Sequence, residues 1–383
     1  MFYNKCMDIQ EKAKLIARNF DETLTEADLL ELLERNPNPK HYIGFEISGK
    51  VHIGQGLFVM NFIKQMQEAG VETTILLADW HTWLNKKLDG TLETAQRLGR
   101  EYFQEAMIAA ALCAGADPEK IEFVLGSELY DKKGSEYWAT MVRVSKATTM
   151  SRMMRSTTIM GRKETEVSDA AMLIYPAMQA ADIFMMDIDI AHAGTDQRNV
   201  HVVARDVAKD LDKKKPVAVH NHLLLGLGKQ DPEATKRLTE ESGISAEERI
   251  SIIESLKMSK SKPETAVFID DSPEDIRRKV NNAFAPEGMI QYNPMLDWCK
   301  NLIFFDEGSK LVIERPEKWG GNMEFNSYED LEKAYEAKEL HPQDLKAAVA
   351  EWLVNKLEPA REYFEDPKRK AALEEIERLT TKK

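Results

Sequence analysis

The chain has 383 residues, 43% hydrophobic and 31% charged, which is ordinary for a folded globular protein and long enough that two domains are expected. No apolar run approaches the roughly 20 residues of a membrane span, the N-terminus lacks a secretory h-region, and Cys6, Cys113 and Cys299 make neither a disulfide framework nor a metal spacing, so a cytoplasmic protein without a metal centre is expected. The net charge of −13 weighs mildly against nucleic acid as a partner, although a large acidic chain can carry a basic stripe.

In chain order, residues 8–35 read as one polar helix ended by the breaker cluster Asn36-Pro37-Asn38-Pro39. Tyr42–Phe45 reads as a short strand and 49–55 as a turn. In the helix expected at 56–69, Val59, Phe62, Ile63 and Met66 repeat at the spacing of one buried face, and Gly70 closes it at C′. Thr74–Ala78 reads as a buried strand, which completes a βαβ unit. A helix over 91–114 and a strand at Ile121–Leu125 follow. The Met- and Arg-rich residues 126–170 predict a helical insertion over the sheet. Next come a helix at 171–184, a strand at Asp187–Ile190, a helix at 195–211 and a strand at Pro216–Val219.

Residues 226–256 read as a polar linker or insertion with a helical patch, leading to a mobile loop at 257–261. Ala266–Ile269 reads as a strand, and Ser272-Pro273-Glu274-Asp275 opens a helix with Pro near N1 and acids in the first turn. The remainder is mostly helical. At 342–356, Leu345, Ala348, Val349, Trp352 and Leu353 form one apolar stripe. Basic pairs and runs stand at Lys132-Lys133, Arg152 with Arg155, Arg162-Lys163, Lys213–Lys215 and Lys368–Lys370, each more often a solvated face than a binding stripe.

Three constellations carry chemistry. The first is the turn from Gly49 to Gln55. A helix N-terminus presents free N–H groups and partial positive charge to phosphates. Gly49 and Gly54 allow close approach, His52 can donate a ring N–H, and Lys50 adds charge; taken alone, a His beside glycines is more often structural. The second is Lys257-Met258-Ser259-Lys260-Ser261. Two lysines three residues apart, with hydroxyls between them, suit the charge that grows on a leaving pyrophosphate. Taken alone it also fits a solvated loop, but the two motifs in this order suit an enzyme that attacks the α-phosphate of ATP. The third is Tyr175, Gln179 and Asp182, spaced i, i+4 and i+7 on one helix face. Beside Met178 and Ile183 they make a poor core stripe and a good polar end for a pocket, which Gln197 can join; the plain alternative is a partly buried structural network.

Taken together, the chain resembles the archaeal and eukaryotic tyrosyl-tRNA synthetases, members of class I of the aminoacyl-tRNA synthetases. The likeness runs through Tyr42–Glu46, Leu76–Asp79, Tyr175–Asp182, Asp196–Arg198, Lys257–Ser261, Arg315–Gly321 and His341–Lys346. It implies an α/β Rossmann-type doubly wound parallel sheet over residues 1–265, with the two insertions, followed by a mostly α-helical anticodon-binding domain over 266–383, and a homodimer. By that likeness Tyr42, Tyr175, Gln179, Asp182 and Gln197 bind L-tyrosine. Gly49, His52, Gly54, Gln55 and Lys257, Met258, Ser259, Lys260, Ser261 bind ATP, with His52, Lys257 and Lys260 catalytic. Arg155, Arg198, Trp319 and Asp344 contact tRNA(Tyr).

Mg²⁺ is expected to travel with ATP and keep most of its waters, without a protein cage. One departure is Gln55, where the family signature often has a second His; an amide donates but carries no charge. Tyr130, where some relatives have an amide, is left out of the expected pocket. Three alternatives stand beside this reading. A tryptophanyl-tRNA synthetase shares both ATP motifs, but its indole N–H needs only an acceptor, where Tyr42 opposite Asp182 offers donor and acceptor. A catalytically silent RNA-binding relative would lack His52 or the lysine loop. A small-molecule adenylyltransferase would not need the helical region after residue 272.

Overall fold

Tyr42–Phe45 and Thr74–Ala78 do form neighbouring parallel strands around a helix. In the computed structural model, which describes residues 7–161, 169–229, 231–239, 244, 252–253 and 255–381, they are β2 (Lys40–Phe45) and β3 (Glu72–Leu77), joined through the helix Leu57–Glu68. With β1 (Glu22–Leu24), β4 (Ile121–Leu125), β5 (Ile190–Gly194) and β6 (Val217–Asn221) they make one sheet in the order β1-β6-β5-β2-β3-β4. All neighbours are parallel except β1, which runs antiparallel to β6 with Glu22 opposite His220. From β2 the chain winds outward through β3 and β4, then returns to β5 on the other side. The order therefore reverses between β2 and β5, the crevice where doubly wound sheets bind ligands.

Apolar cores cover both faces. One joins Ile47, Val51 and Phe62 to Trp298, Leu345, Leu353 and Ile376 of the C-terminal region. The other packs Tyr42, Leu76 and Val144 against Met172, Tyr175 and Ile183. Residues 126–160 are helical as expected, in Gly126–Lys133, Ser135–Ala147, Met150–Ser156 and a 3₁₀ turn Thr157–Met160. Arg162 and Lys163 lie outside the described residues, as does Cys6; Cys113 and Cys299 are buried free thiols.

Three expectations are corrected. Residues 8–35 are two helices, Ile9–Ala17 and Glu26–Arg35, separated by β1, and each has its own cap: Asp8 accepts from Glu11 N and Thr25 from Asp28 N. The strand read at Asp187–Ile190 begins only at Ile190, because Asp187 takes φ +57° and the Asp189 carboxylate turns back to Lys40 N at 2.9 Å. It then runs on through His192, as β6 runs on through His220 and Asn221, and these polar side chains are buried. His192 Nε2 lies 3.0 Å from Asn221 Oδ1 and its Nδ1 lies 3.1 Å from His41 Nε2, so hydrogen bonding offsets the cost of burying them.

Ala266–Ile269 is not a sheet strand. It lies along the 49–55 turn through Ile53 N to Val267 O at 2.9 Å and Ile269 N to Val51 O at 3.1 Å, with His52 and Phe268 bridged. The C-terminal region is mostly helical as expected, and it also holds a small hairpin, β7 (Leu311–Ile313) with β8 (Met323–Phe325). The helix read at 342–356 is Pro342–Lys356, with Leu345, Val349 and Leu353 buried on one face.

Candidate active site

A cavity of about 290 Å³ opens at the C-terminal ends of β2 and β5, at the point of reversal. Its deep end is built on rigid elements. Tyr42 sits on β2 with its ring laid over Gly44, two residues on and on the same face of the strand; a Cβ on Gly44 would lie 2.8 Å from Tyr42 Oη. Tyr175, Gln179 and Asp182 share a face of the helix Ile174–Met185 and all line the cavity.

Asp182 is fully buried. Its Oδ1 accepts from Tyr137 Oη at 2.8 Å, while Oδ2 has no hydrogen-bond partner and stands 3.7 Å from His81 Nε2. Burial pushes its pKa up to about 8, against the pull of the Tyr137 hydrogen bond. The buried phenols of Tyr42 and Tyr137 are held well above their usual range, by burial and then by the Asp182 charge, so they remain O–H donors. Tyr175 Oη donates to Glu46 Oε1 at 2.8 Å, and Asn85 Nδ2 reaches the same oxygen at 2.7 Å. Gln179 Nε2 approaches Gln197 Oε1 at 3.5 Å, and Gln197 in turn donates to Ile159 O at 2.9 Å.

The outer end is built on a turn and a loop. Gly49 takes φ +139°, a conformation that favours glycine. Gly54 lies flat against His52, where a Cβ would come within 3.1 Å of Nδ1. Burial, then the neighbouring Lys260 and Lys257, lower the His52 pKa to about 3, so the ring is neutral, and its buried Nδ1 has no partner. Gln55 also keeps a buried, unpartnered Oε1.

Lys257 Nζ rests on Asp196 Oδ2 at 2.7 Å, and Lys260 Nζ rests on Ser48 Oγ at 3.2 Å beneath the Phe103 ring. Burial lowers the Lys260 pKa to about 7. Ser259 and Ser261 bond each other at 2.9 Å. His52, Gly54, Gln55, Lys257 and Met258 line the cavity; Gly49, Ser259, Lys260 and Ser261 do not. Lys50 does not add free charge there, since its ammonium is bound to Asp270 Oδ2 at 2.6 Å.

The residues expected to meet tRNA lie apart from the cavity. Arg155 is exposed. Arg198 is engaged, donating from Nε to both Glu22 oxygens at 2.8 and 2.9 Å. Trp319 is 66% exposed on a 3₁₀ turn closed by Gly320 at φ +97° and Gly321 at φ +71°, so the ring is not core. Arg315 bonds both Gly321 O and Glu339 O, which holds this turn near the start of the helix carrying Asp344 in its first turn.

Sequence reasoning passed over Glu46, Asp196, Tyr137 and His81. Glu46 and Asp196 stand inside motifs already singled out. Tyr137 reaches Asp182 across 45 residues of chain, and no local spacing could signal it.

The family profile described as "tRNA synthetases class I (W and Y)" matches residues 34–358. A protein of Thermococcus sibiricus named tyrosine–tRNA ligase is 48% identical over 370 residues, covering 94% of this chain and 96% of that one. A Pyrobaculum calidifontis protein of the same name is 40% identical over 385 residues, covering 97% and 99%. The crystal structure of tyrosyl-tRNA synthetase complexed with L-tyrosine from Pyrococcus horikoshii superposes with a TM-score of 0.88 at 46% identity, covering 97% of this chain and 99% of that one.

Proposed function

The chain belongs to the class I tRNA synthetases of the tryptophan and tyrosine family, and from that membership we propose how its cavity serves the reaction. The activity is that of a tyrosine–tRNA ligase: ATP activates tyrosine, which is then joined to tRNA. The observation that carries our assignment of the site is Asp182 Oδ2, a buried acceptor without a partner in the cavity wall. A tyrosine O–H both donates and accepts, so it can pair with this carboxyl oxygen whether or not that oxygen carries a proton, and with a hydroxyl such as Tyr42. An indole supplies only a donor, and phenylalanine supplies neither.

With the ring seated there, the amide oxygens of Gln179 and Gln197 suit the ammonium group. The substrate carboxylate then faces the outer end of the cavity. It attacks the α-phosphorus of ATP; the bond to the bridging oxygen breaks, and pyrophosphate leaves with its electron pair. His52 is neutral and serves as a hydrogen-bond donor to phosphate rather than as a charge. Lys257 leaves Asp196, and Lys260 leaves Ser48, to meet the negative charge that grows on pyrophosphate. Positioning and charge stabilisation therefore do the work, with little proton transfer in this step. Mg²⁺ enters with the triphosphate as part of the substrate. In the second step a ribose hydroxyl of the terminal tRNA adenosine attacks the activated carbonyl and AMP leaves.

Residues 1–265 form the catalytic domain in this reading, and the helical region 266–383 reads the anticodon through Trp319 and Asp344. Arg155 and Arg198 approach the tRNA(Tyr) backbone. The working unit is a homodimer in the cytoplasm. Among the described residues no helix is long and apolar enough to cross a membrane. The test is pyrophosphate exchange into ATP with each amino acid in turn. Tyrosine stimulates exchange; stimulation by tryptophan at comparable concentration overturns the assignment of the pocket.

A further inference from the structure

The last helix, Pro367–Thr381, lies beyond residue 358, where the family match ends, and the reaction above gives it no part. It is nonetheless firmly seated. Ala372 and Ile376 are buried, and Leu373 and Leu379 pack against the core that holds Val51 and Ile53. Arg97 grips Glu375 with two prongs at 2.7 and 2.8 Å, and Arg369 Nε donates to Glu105 Oε2 at 2.7 Å.

The final turns of this helix then meet the phosphate turn at two consecutive residues. Glu377 Oε1 stands 3.8 Å from Lys50 Nζ. A Cβ on Gly49 would lie 2.9 Å from Thr380 Cγ2 and 3.4 Å from Lys260 Cδ, so the Thr380 methyl, Gly49 and the stem of Lys260 are in one cluster. The Thr380 hydroxyl is turned back onto Ile376 O at 2.8 Å and Glu377 O at 3.0 Å.

Lys50 is the knot. Its largely buried ammonium joins three stretches of chain: the phosphate turn itself, Asp270 just after the lysine loop, and Glu377 of the last helix. It lies two residues before His52 and one after Gly49. Val51 N donates to Tyr102 Oη at 3.0 Å, so the turn is fixed from its other side as well.

We propose that the C-terminal helix is a positioning element of the ATP site, with Glu377 acting through Lys50 and the Thr380 methyl bearing on Gly49. Together they hold the turn that carries His52 in register with Lys260. Neither Glu377 nor Thr380 touches the reacting atoms. The inference rests on the reading of Gly49–Gln55 as the turn that receives the triphosphate.

Partly exposed ion pairs contribute little to stability, so a merely structural Glu377 would leave ATP kinetics alone. A displaced phosphate turn would not, because small misplacements of reacting groups cost up to about 10²-fold in rate. Removing all of Pro367–Thr381 would expose core, so the informative variants are Glu377→Gln and Thr380→Ser. The latter deletes the methyl and keeps the hydroxyl.

Each is expected to lower kcat/KM for ATP in tyrosine-dependent exchange by about tenfold, within that positioning range. KM for tyrosine and the melting temperature should stay near wild type. In a Lys50→Met background Glu377→Gln should do nothing more, since one route has already been cut. Wild-type kcat/KM for ATP in both variants overturns the proposal, and additive losses of Lys50 and Glu377 overturn the route through Lys50. Absence of tyrosine-dependent exchange in the unaltered protein would instead remove the underlying reading of the turn.

Discussion

At the deep end of the cavity, Tyr42, Tyr175 and Asp182 stand on a strand and a helix, buried, and Tyr175 and Asp182 make their hydrogen bonds inside the protein to Glu46 and Tyr137. At the outer end, His52, Lys257 and Lys260 stand on a turn and a loop, and the two ammonium groups rest on Asp196 and Ser48. The first arrangement is finished before any ligand arrives, save for buried polar atoms without partners at Asp182 Oδ2, Tyr130 Oη and the His81 ring nitrogens. The second is provisional. Lys257 and Asp196 keep 29% and 14% of their side-chain surface exposed, so the pair stands at the edge of solvent on a loop rather than locked in the core. In the proposed mechanism, discrimination between side chains comes from the fixed groups of the deep end, and stabilisation of growing charge from the cations of the turn and loop.

The largest effect that can test this contrast is substrate discrimination. Phenylalanine in the deep end leaves Asp182 Oδ2 and its hydroxyl neighbours without partners. Its kcat/KM in exchange should fall on the order of 10⁵-fold below that of tyrosine, a scale taken from tyrosyl-tRNA synthetases themselves and not calculated from these distances. A ratio of only tenfold would mean that the deep end reads shape alone.

Next in size are the lysines. Lys257→Ala and Lys260→Ala should each reduce kcat and kcat/KM for adenylate formation together by about 10²–10³-fold, and leave tyrosine binding almost unchanged. Wild-type single-turnover rates in both variants would remove the loop from the chemistry. Lys260 adds a pH signature. Its pKa in the free protein is lowered to about 7 by burial, so the ammonium is lost as pH rises through that value. kcat/KM for ATP, which reports the free enzyme, should fall over the same window. Lys260→Arg keeps its charge there and should flatten that limb.

A smaller effect concerns stability. The Asp182 carboxyl is pushed up to about 8 by burial. Below about 4 it is protonated in both folded and unfolded chains. Above that, the unfolded chain ionises while the folded chain resists, so this group's contribution to stability is lost as pH rises through about 8. Asp182→Asn should therefore match wild type near pH 4 and exceed it in stability by a margin that grows toward pH 8, on the order of 5 kcal/mol, seen as a higher melting temperature. The same change should impair tyrosine activation. A margin independent of pH would show that the carboxyl is not buried in this way.

The contrast between the two ends also decided what could be read from the residues alone. Loop chemistry is concentrated in sequence, so Gly49, His52, Gly54 and Lys257–Ser261 stood out together. The face shared by Tyr175, Gln179 and Asp182 followed from helical period. Partners recruited across the fold left no local trace: Tyr137 on Asp182, and Asp270 with Glu377 on Lys50. Read from sequence, β5 starts too early and β6 ends two residues short for a related reason, because His192, His220 and Asn221 are polar by sequence yet buried and paired in the sheet. Tertiary hydrogen bonding overrode the hydrophobic pattern on which strand reading depends.

The smallest effect comes from outside the cavity, and it asks whether either end depends on the helical C-terminal region. Trp319 holds its ring 66% exposed on a turn that Gly320 and Gly321 close with positive φ, and Lys318 Nζ lies 5.5 Å from the ring centroid. An exposed ring held this way suits stacking on an unpaired base, worth roughly 1–3 kcal/mol. The Asp344 carboxylate, one turn into its helix, can accept from the donors of a base edge. Since tyrosine activation needs no tRNA, Trp319→Ala should raise KM for tRNA about tenfold, within the stacking range, and leave tyrosine-dependent exchange intact. Asp344→Ala should behave alike with a smaller loss. Its carboxylate also sits in the first helical turn, where an acid favours the helix dipole by about 0.3–1 kcal/mol, so a slight drop in melting temperature is expected beside the change in KM. If exchange and melting temperature both fell in Trp319→Ala, the ring would be supporting the fold shared with the catalytic core, and neither cavity end could be regarded as independent of it.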